Sequence, residues 1–286
     1  MGKFLVMVKK NPVSSFYILV FCISWGVFLF AMGGPRAFPA ASTEMLRLMP
    51  FAVTALLAGP VVSGLVMTGL VHGLAGFRGL LSRLGALRVR LRWYIAAFLI
   101  APLAMLALPL AASLVWPQFM PRIVTAQNTG GILGFALGAG LSSGFFEEIG
   151  WTGFAIPELL RRRSLLATGL ITGFLWGAWH LIVNFWSSGD ASGRLSLDLF
   201  LHSFSFSAAI LPPFRILMVW VYDRAQSLFL AMVMHLSLTA GNVIFVPAEV
   251  TGPTGLVWSL MVAVPLWIAA SVLARTREAG RPRRGE

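Results

Sequence analysis

Eight runs of about 20 mostly apolar residues follow one another along the 286-residue chain, each long enough to cross a bilayer as a helix. They fall at 14–33, 48–71, 93–115, 129–150, 164–185, 197–221, 226–246 and 254–273. In lipid each backbone polar group must find its partner inside its own structure, and a helix meets that demand within one segment. The pattern therefore predicts an all-α integral membrane protein with eight transmembrane helices. Composition agrees: 58% of residues are hydrophobic, 11% are charged and the mean hydropathy is +0.83, against about 45–50% apolar and about 25% charged for soluble domains. The fourth helix is expected to run on to about residue 159. The stretch 72–92 is too short and too arginine-rich to span and is expected at the membrane interface. By function the chain divides into 1–128, with the first three helices, a core at 129–246, and 247–286, with the last helix and a basic tail.

The basic residues orient this map. With a cytoplasmic N-terminus, 17 of the 22 Lys and Arg fall on inner segments, among them Arg78, Arg83, Arg161, Arg162, Arg163 and Arg224. Arg36, Arg47, Arg122 and Arg194 fall on outer ones, and Arg215 lies inside a span. That is the expected cytoplasmic bias, and it places both termini in the cytoplasm. The net charge of +12 thus reads as topology and contact with anionic lipid headgroups, with no nucleic-acid partner. The expected location is the inner (plasma) membrane, multi-pass. The first apolar run lacks a convincing cleavage site and is expected to remain as an anchor. A lone cysteine, Cys22, allows no internal disulfide or cysteine-based zinc cluster, and is read as a core residue.

Ionisable residues at membrane depth usually face a bundle interior or a water-filled cavity. Here they are Glu147, Glu148, His180, His202, Arg215 and His235. At about 1.5 Å per helical residue, Glu147 lies roughly 20 Å, His180 roughly 25 Å and His235 roughly 16 Å from the inner charge level. Three helices thus bring polar groups to similar depth. Glu147 and Glu148 point about 100° apart, so one can face a site while the other is held by a partner. A carboxylate in a low-dielectric site suits general-base hydrolysis, and histidines can hold water, donate to an oxyanion or bind a metal. A buried network that holds the helices together, or the mid-membrane site of a transporter, uses the same residue types.

The stretches EEIGWTG (147–153), FLWGAWH (174–180) and RILMVWVYDRAQSLFLAMVMH (215–235) resemble the CPBP family of CAAX-protease and bacteriocin-processing intramembrane proteases, also called Abi, over roughly 129–246. The family pattern is EExxxR, then FxxxH, then HxxxN or HxxxD. Both glutamates and both histidines match. Thr152 stands at the arginine position, Trp176 at the phenylalanine and Thr239 at the amide or carboxylate; Asn242 lies two turns beyond His235, and Asn184 follows His180 by four. The resemblance implies Glu147 as general base, His180 as the residue that positions water, and His235 as the oxyanion donor with Thr239 beside it. Glu148 would be the supporting carboxylate, with Asn184 and Asn242 further support. The favoured chemistry is a glutamate-activated water with no required metal; were zinc used, Glu147, His180 and His235 would be its ligands.

With the family arginine missing, Arg215 is expected to pair with Glu148, the alternative being that it snorkels to the interface. Pro212 and Pro213 are expected to break or kink the sixth helix, and Pro157 to end the helix that carries Glu147. His72 is read as interfacial, His202 as more often packing than cavity lining, and 275–286 as a disordered basic tail. The whole predicts an endopeptidase opening to the cytoplasm and acting on a membrane-anchored CAAX-like or leader peptide. A catalytically weak immunity or regulatory protein of the same fold and a small-solute transporter are the rivals.

Overall fold

The computed structural model describes residues 2–248, 250 and 252–279. Among them eight helices are long and apolar enough to cross a membrane: span 1 Pro12–Ala31, span 2 Ser42–Leu84, span 3 Leu91–Ser113, span 4 Thr129–Leu160, span 5 Leu165–Trp186, span 6 Leu197–Ala225, span 7 Leu228–Phe245 and span 8 from Gly252. The expected count and order of spans are found. No β-strand occurs among the described residues, only a bridge between Gly189 and Leu195 in the loop after span 5. The outer surface is apolar, with Phe30 89% and Phe135 64% exposed, as a lipid-facing bundle requires.

Three of the chief helix contacts are built on glycines. Lipid tails are as apolar as leucine, so helices associate where small residues let backbones approach. A Cβ on Gly140 or Gly144 of span 4 would lie 2.9 or 2.6 Å from a backbone oxygen of span 7. One on Gly150 would lie 2.4 Å from the Pro60 carbonyl of span 2. Gly169, Gly173 and Gly177 form a stripe at four-residue spacing on which span 6 rests, against Ile216, Pro212 and Ser207.

The second helix is broken at Gly73, inside the stretch 72–92 that is expected at the interface. Gly73 takes φ +60° and ψ −149°, a conformation a side chain would resist, and the helix resumes to Leu84. Leu80 then packs on Ile149, Leu228 and Met232. Pro157 does not end the glutamate-bearing helix. A π-turn at Trp151–Ala155 precedes it and the helix continues through Ile156–Leu160. Proline cannot donate to the carbonyl four residues back, and that carbonyl, Gly153 O, instead accepts from Arg83 Nη2 at 2.9 Å. The same device recurs in span 6. A π-turn at Phe206–Ile210 precedes Pro212 and Pro213, and the Ala209 carbonyl freed by Pro213 accepts from Trp267 Nε1 at 3.1 Å. The prolines are accommodated by a widened turn, a recognised way of inserting into the helical ladder.

Cys22 is exposed on the outer face of span 1, not in the core. The eighth helix reaches Ala279, so the expected tail begins no earlier than residue 280, outside the described residues.

Because overpacking at a backbone contact costs about 1–3 kcal/mol, Gly173→Ala should lower the unfolding temperature in detergent. Gly134 meets nothing within 4 Å, and Gly134→Ala should leave that temperature unchanged or raise it. Equal responses of the two variants would refute the glycine seam.

Candidate active site

Glu147 and Glu148 sit in the last turn of the regular α-helix of span 4, ahead of the π-turn, and point in different directions as adjacent helical residues must. Glu147 is 3% and Glu148 0% exposed. An unpaired buried charge is strongly unfavourable, and each carboxylate has its own partners.

Glu148 is the hub. Its Oε1 accepts from Arg215 Nη1 at 2.8 Å and from His235 Nδ1 at 2.7 Å. Its Oε2 accepts from Arg215 Nη1 at 3.0 Å and from the Thr152 hydroxyl. Arg215 is fully buried and does not snorkel. It reaches the carboxylate through one nitrogen, not a two-nitrogen fork, and its guanidinium carbon lies over the Trp176 ring, 3.9 Å from the centroid. Thr152, at the position where the family pattern has arginine, is one turn on from Glu148 and adds a hydroxyl where the long side chain would have stood. Glu148 and Arg215 lie behind the site and do not line it.

Glu147 is held differently. Its Oε2 accepts from Trp176 Nε1 at 2.7 Å and from Trp151 Nε1 at 3.1 Å. Oε1 is turned toward His235 Nε2, 3.7 Å away, too far for a direct hydrogen bond. Charge-assisted bonds from two indoles fix one oxygen of the carboxylate and leave the other for chemistry. These indoles were missed from sequence. Trp151 could have been found from its four-residue spacing from Glu147, and Trp176 from its place in the FxxxH pattern.

His180 follows span 5's first helical stretch and is half-buried. Its Nδ1 bonds the Trp176 carbonyl at 2.8 Å, an acceptor, so Nδ1 carries the proton and Nε2 is free to accept. His180, Glu147 and His235 line one cavity of about 370 Å³, with Asn184, His202, Thr239 and Asn242 on the same wall. His202 is therefore a cavity residue, against expectation. Thr239 shares a hydrogen bond with Ser143 at 2.9 Å, a cavity partner that sequence reasoning also missed. Asn184 is engaged elsewhere, donating to the Ser207 hydroxyl at 2.9 Å. His72 does not line this cavity and bonds Glu158 at 2.8 Å. Among the described residues no three His, Cys, Asp or Glu side chains gather as metal ligands.

These features define a multi-pass membrane protein with a buried, charge-paired polar site at the floor of a single cavity. Residues 128–241 match the model of a family described as Type II CAAX prenyl endopeptidase Rce1-like. The resemblance to the CPBP proteases, read at 129–246, is thereby borne out. CAAX prenyl protease 2 of Methanococcus maripaludis is 29% identical over 91 residues, which are 32% of this chain and 33% of that protein. The chain thus matches a third of the length of that curated relative.

Removing one partner of a buried ion pair costs about 3–5 kcal/mol. Glu148→Gln and Arg215→Gln should therefore each destabilise the detergent-solubilised protein by an amount of that order. The double variant should be less destabilised than their sum, and strict additivity in thermal unfolding would show that the pair is not coupled.

Proposed function

We propose that the protein is an intramembrane endopeptidase that cuts a membrane-anchored peptide or protein with a glutamate-activated water. The observation that carries this reading is the split treatment of Glu147. One oxygen is immobilised by two indoles, and the other faces His235 across a gap at the cavity floor. The match over 128–241 supports the same reading.

In this mechanism water lies against Glu147 Oε1 and gives it a proton as its oxygen attacks the scissile carbonyl carbon. His180 Nε2 accepts the second water hydrogen and fixes the direction of attack. His235, held at Nδ1 by the Glu148 carboxylate, donates from Nε2 to the oxyanion, with the Thr239 and Ser143 hydroxyls nearby. Collapse of the tetrahedral intermediate breaks the C–N bond, and Glu147 passes its proton to the leaving amine. Arg215 and Thr152 act through Glu148 as positioning residues. The inner (plasma) membrane is the proposed location, and no metal is required. Were zinc used, Glu147 Oε1 and the Nε2 atoms of His180 and His235 are the donors left to hold it.

A glutamine keeps the shape of Glu147 but cannot take a proton. Glu147→Gln should fold normally and lose cleavage of a quenched peptide library by about 10²–10⁴-fold, the usual contribution of general-base catalysis. Retention of more than about a tenth of the activity would remove Glu147 from the base role.

Extensive chelation should leave the wild-type rate unchanged. Loss on chelation with recovery on stoichiometric zinc would instead make His180 and His235 ligands.

A further inference from the structure

The direction in which the cavity runs is set by which part of each span contributes to it. Span 2 supplies Val53, Leu56 and Leu57, all N-terminal to Pro60, whose carbonyl meets Gly150 at the level of the site. On span 4 the lining runs from Glu147 back to Ser143 and Ala139, and on span 5 from Trp176 forward to Asn184. On span 6 it lies at His202–Leu211, and on span 7 from His235 forward to Asn242. Each of these parts leads to the segments at 32–41, 126–128 and 187–196 or to the chain that follows Phe245. No lining residue belongs to the part of any span that leads to Arg83, Arg161–Arg163 or Arg224.

Burial follows the same gradient. Glu147 and His235 at the floor are 3% and 2% exposed, while Ser143, His202, Ser203, Thr239 and Asn242 are half-buried and Val53 is 41% exposed. Toward the arginine-rich end the floor is sealed by Glu148, Trp151, Thr152 and Arg215, none more than 1% exposed. A separate cavity at that end, with His72, Arg83, Glu158 and Arg161 on its wall, reaches only Gly153 and Phe154 and shares no lining residue with the first.

The two ends also differ in charge. Arg78, Arg83, Arg88, Arg90, Arg92, Arg161, Arg162, Arg163 and Arg224 crowd one end. At the other, Arg47 bonds Glu44 at 2.6 Å and Arg194 lies 3.8 Å from Asp190. The arginine-rich end is the cytoplasmic one by the usual loop bias. Glu147 stands roughly 20 Å from it along the helix, which leaves about 10 Å of a 30 Å hydrocarbon core on the far side.

We infer that the cavity opens to the extracytoplasmic face of the membrane, and that the bond cut lies in a substrate segment displayed on that face close to its membrane anchor. The expected opening to the cytoplasm is reversed, and a cytoplasmic prenylated tail is the wrong side for this cavity. The substrate half of the inference rests on the protease reading; the opening does not.

Cys22 is the chain's one cysteine, so Cys22→Ser gives a clean background for single-cysteine labelling with a membrane-impermeant maleimide. Ser203→Cys and Asn242→Cys report the cavity rim from two different spans. Arg194→Cys reports the loop beyond span 5, and Arg162→Cys the arginine-rich end. The first three should react on intact cells, and Arg162→Cys only after permeabilisation. A rim cysteine that reacts from the same side as Arg162→Cys, or two rim cysteines that react only after unfolding, would overturn the opening. In a second arm, single-span reporters carry the same peptide on one face or the other in cells that express the wild-type protein. Cleavage confined to the extracytoplasmic reporter supports the substrate assignment. Cleavage of the cytoplasmic reporter overturns it. Rim labelling from outside with neither reporter cut overturns the protease reading and leaves the opening standing.

Discussion

The bond between Glu148 and Arg215 governs the rest of the site. A glutamate at membrane depth is tolerable only if its charge is answered, and this one is answered from three helices. Thr152 comes from its own span, Arg215 from span 6 and His235 from span 7. Fixing Glu148 therefore fixes the imidazole of His235 and the guanidinium of Arg215, and the guanidinium in turn lies on Trp176. Trp176 carries the constraint to Glu147 by donating its indole N–H. A single buried pair thus sets the geometry of both Glu147 and His235, though neither partner faces the cavity.

The backbone that presents these groups obeys the same demand for satisfied polar atoms. Spans 4 and 6 each contain proline where an ordinary α-helix would lose a hydrogen bond and meet a clash. In both a π-turn precedes the proline, and a donor from another helix, Arg83 or Trp267, takes the Gly153 or Ala209 carbonyl. Close approach of the helices is then allowed by glycine at the contacts. Gly173 brings span 5 against Pro212 and the Cβ of Arg215, so the arginine enters the site from a backbone that only a residue without a side chain could pack so closely.

The number of spans, and the residues that meet in the site, were legible because both follow from transfer energetics along one chain. Long apolar runs and charges at depth are each costly to arrange otherwise. The match of Arg215 to Glu148 could be read because Thr152 left a carboxylate unanswered and one cation remained within a span. What could not be read was the direction of side chains and carbonyls. Pro157 looked like a terminator because the sequence shows the missing N–H and not the Arg83 guanidinium that replaces it, 74 residues away in the chain. Cys22 looked like core because an apolar run does not say which face meets lipid. His202 was read as packing and Ser143 was overlooked because cavity lining depends on where five helices leave space, a three-dimensional quantity that spacing along one helix does not encode.

Moving the arginine from span 4 to span 6 changes what the site is mechanically tied to. An arginine one turn from Glu148 would ride on the same helix and report nothing about its neighbours. Arg215 instead belongs to a helix with two unlike halves. Residues Leu211–Val219 are all buried, whereas Leu197–Ser205 contains no buried residue. The π-turn at Phe206–Ile210 joins them. Packing density resists displacement of the buried half, which carries the ion pair, while the half bearing His202 and Ser203 at the cavity rim is only half-buried and is tied to span 8 through a hydrogen bond of 2.7 Å between the Ser205 and Ser259 hydroxyls. The charges on which the floor depends are therefore carried by the part of span 6 that packing holds most firmly.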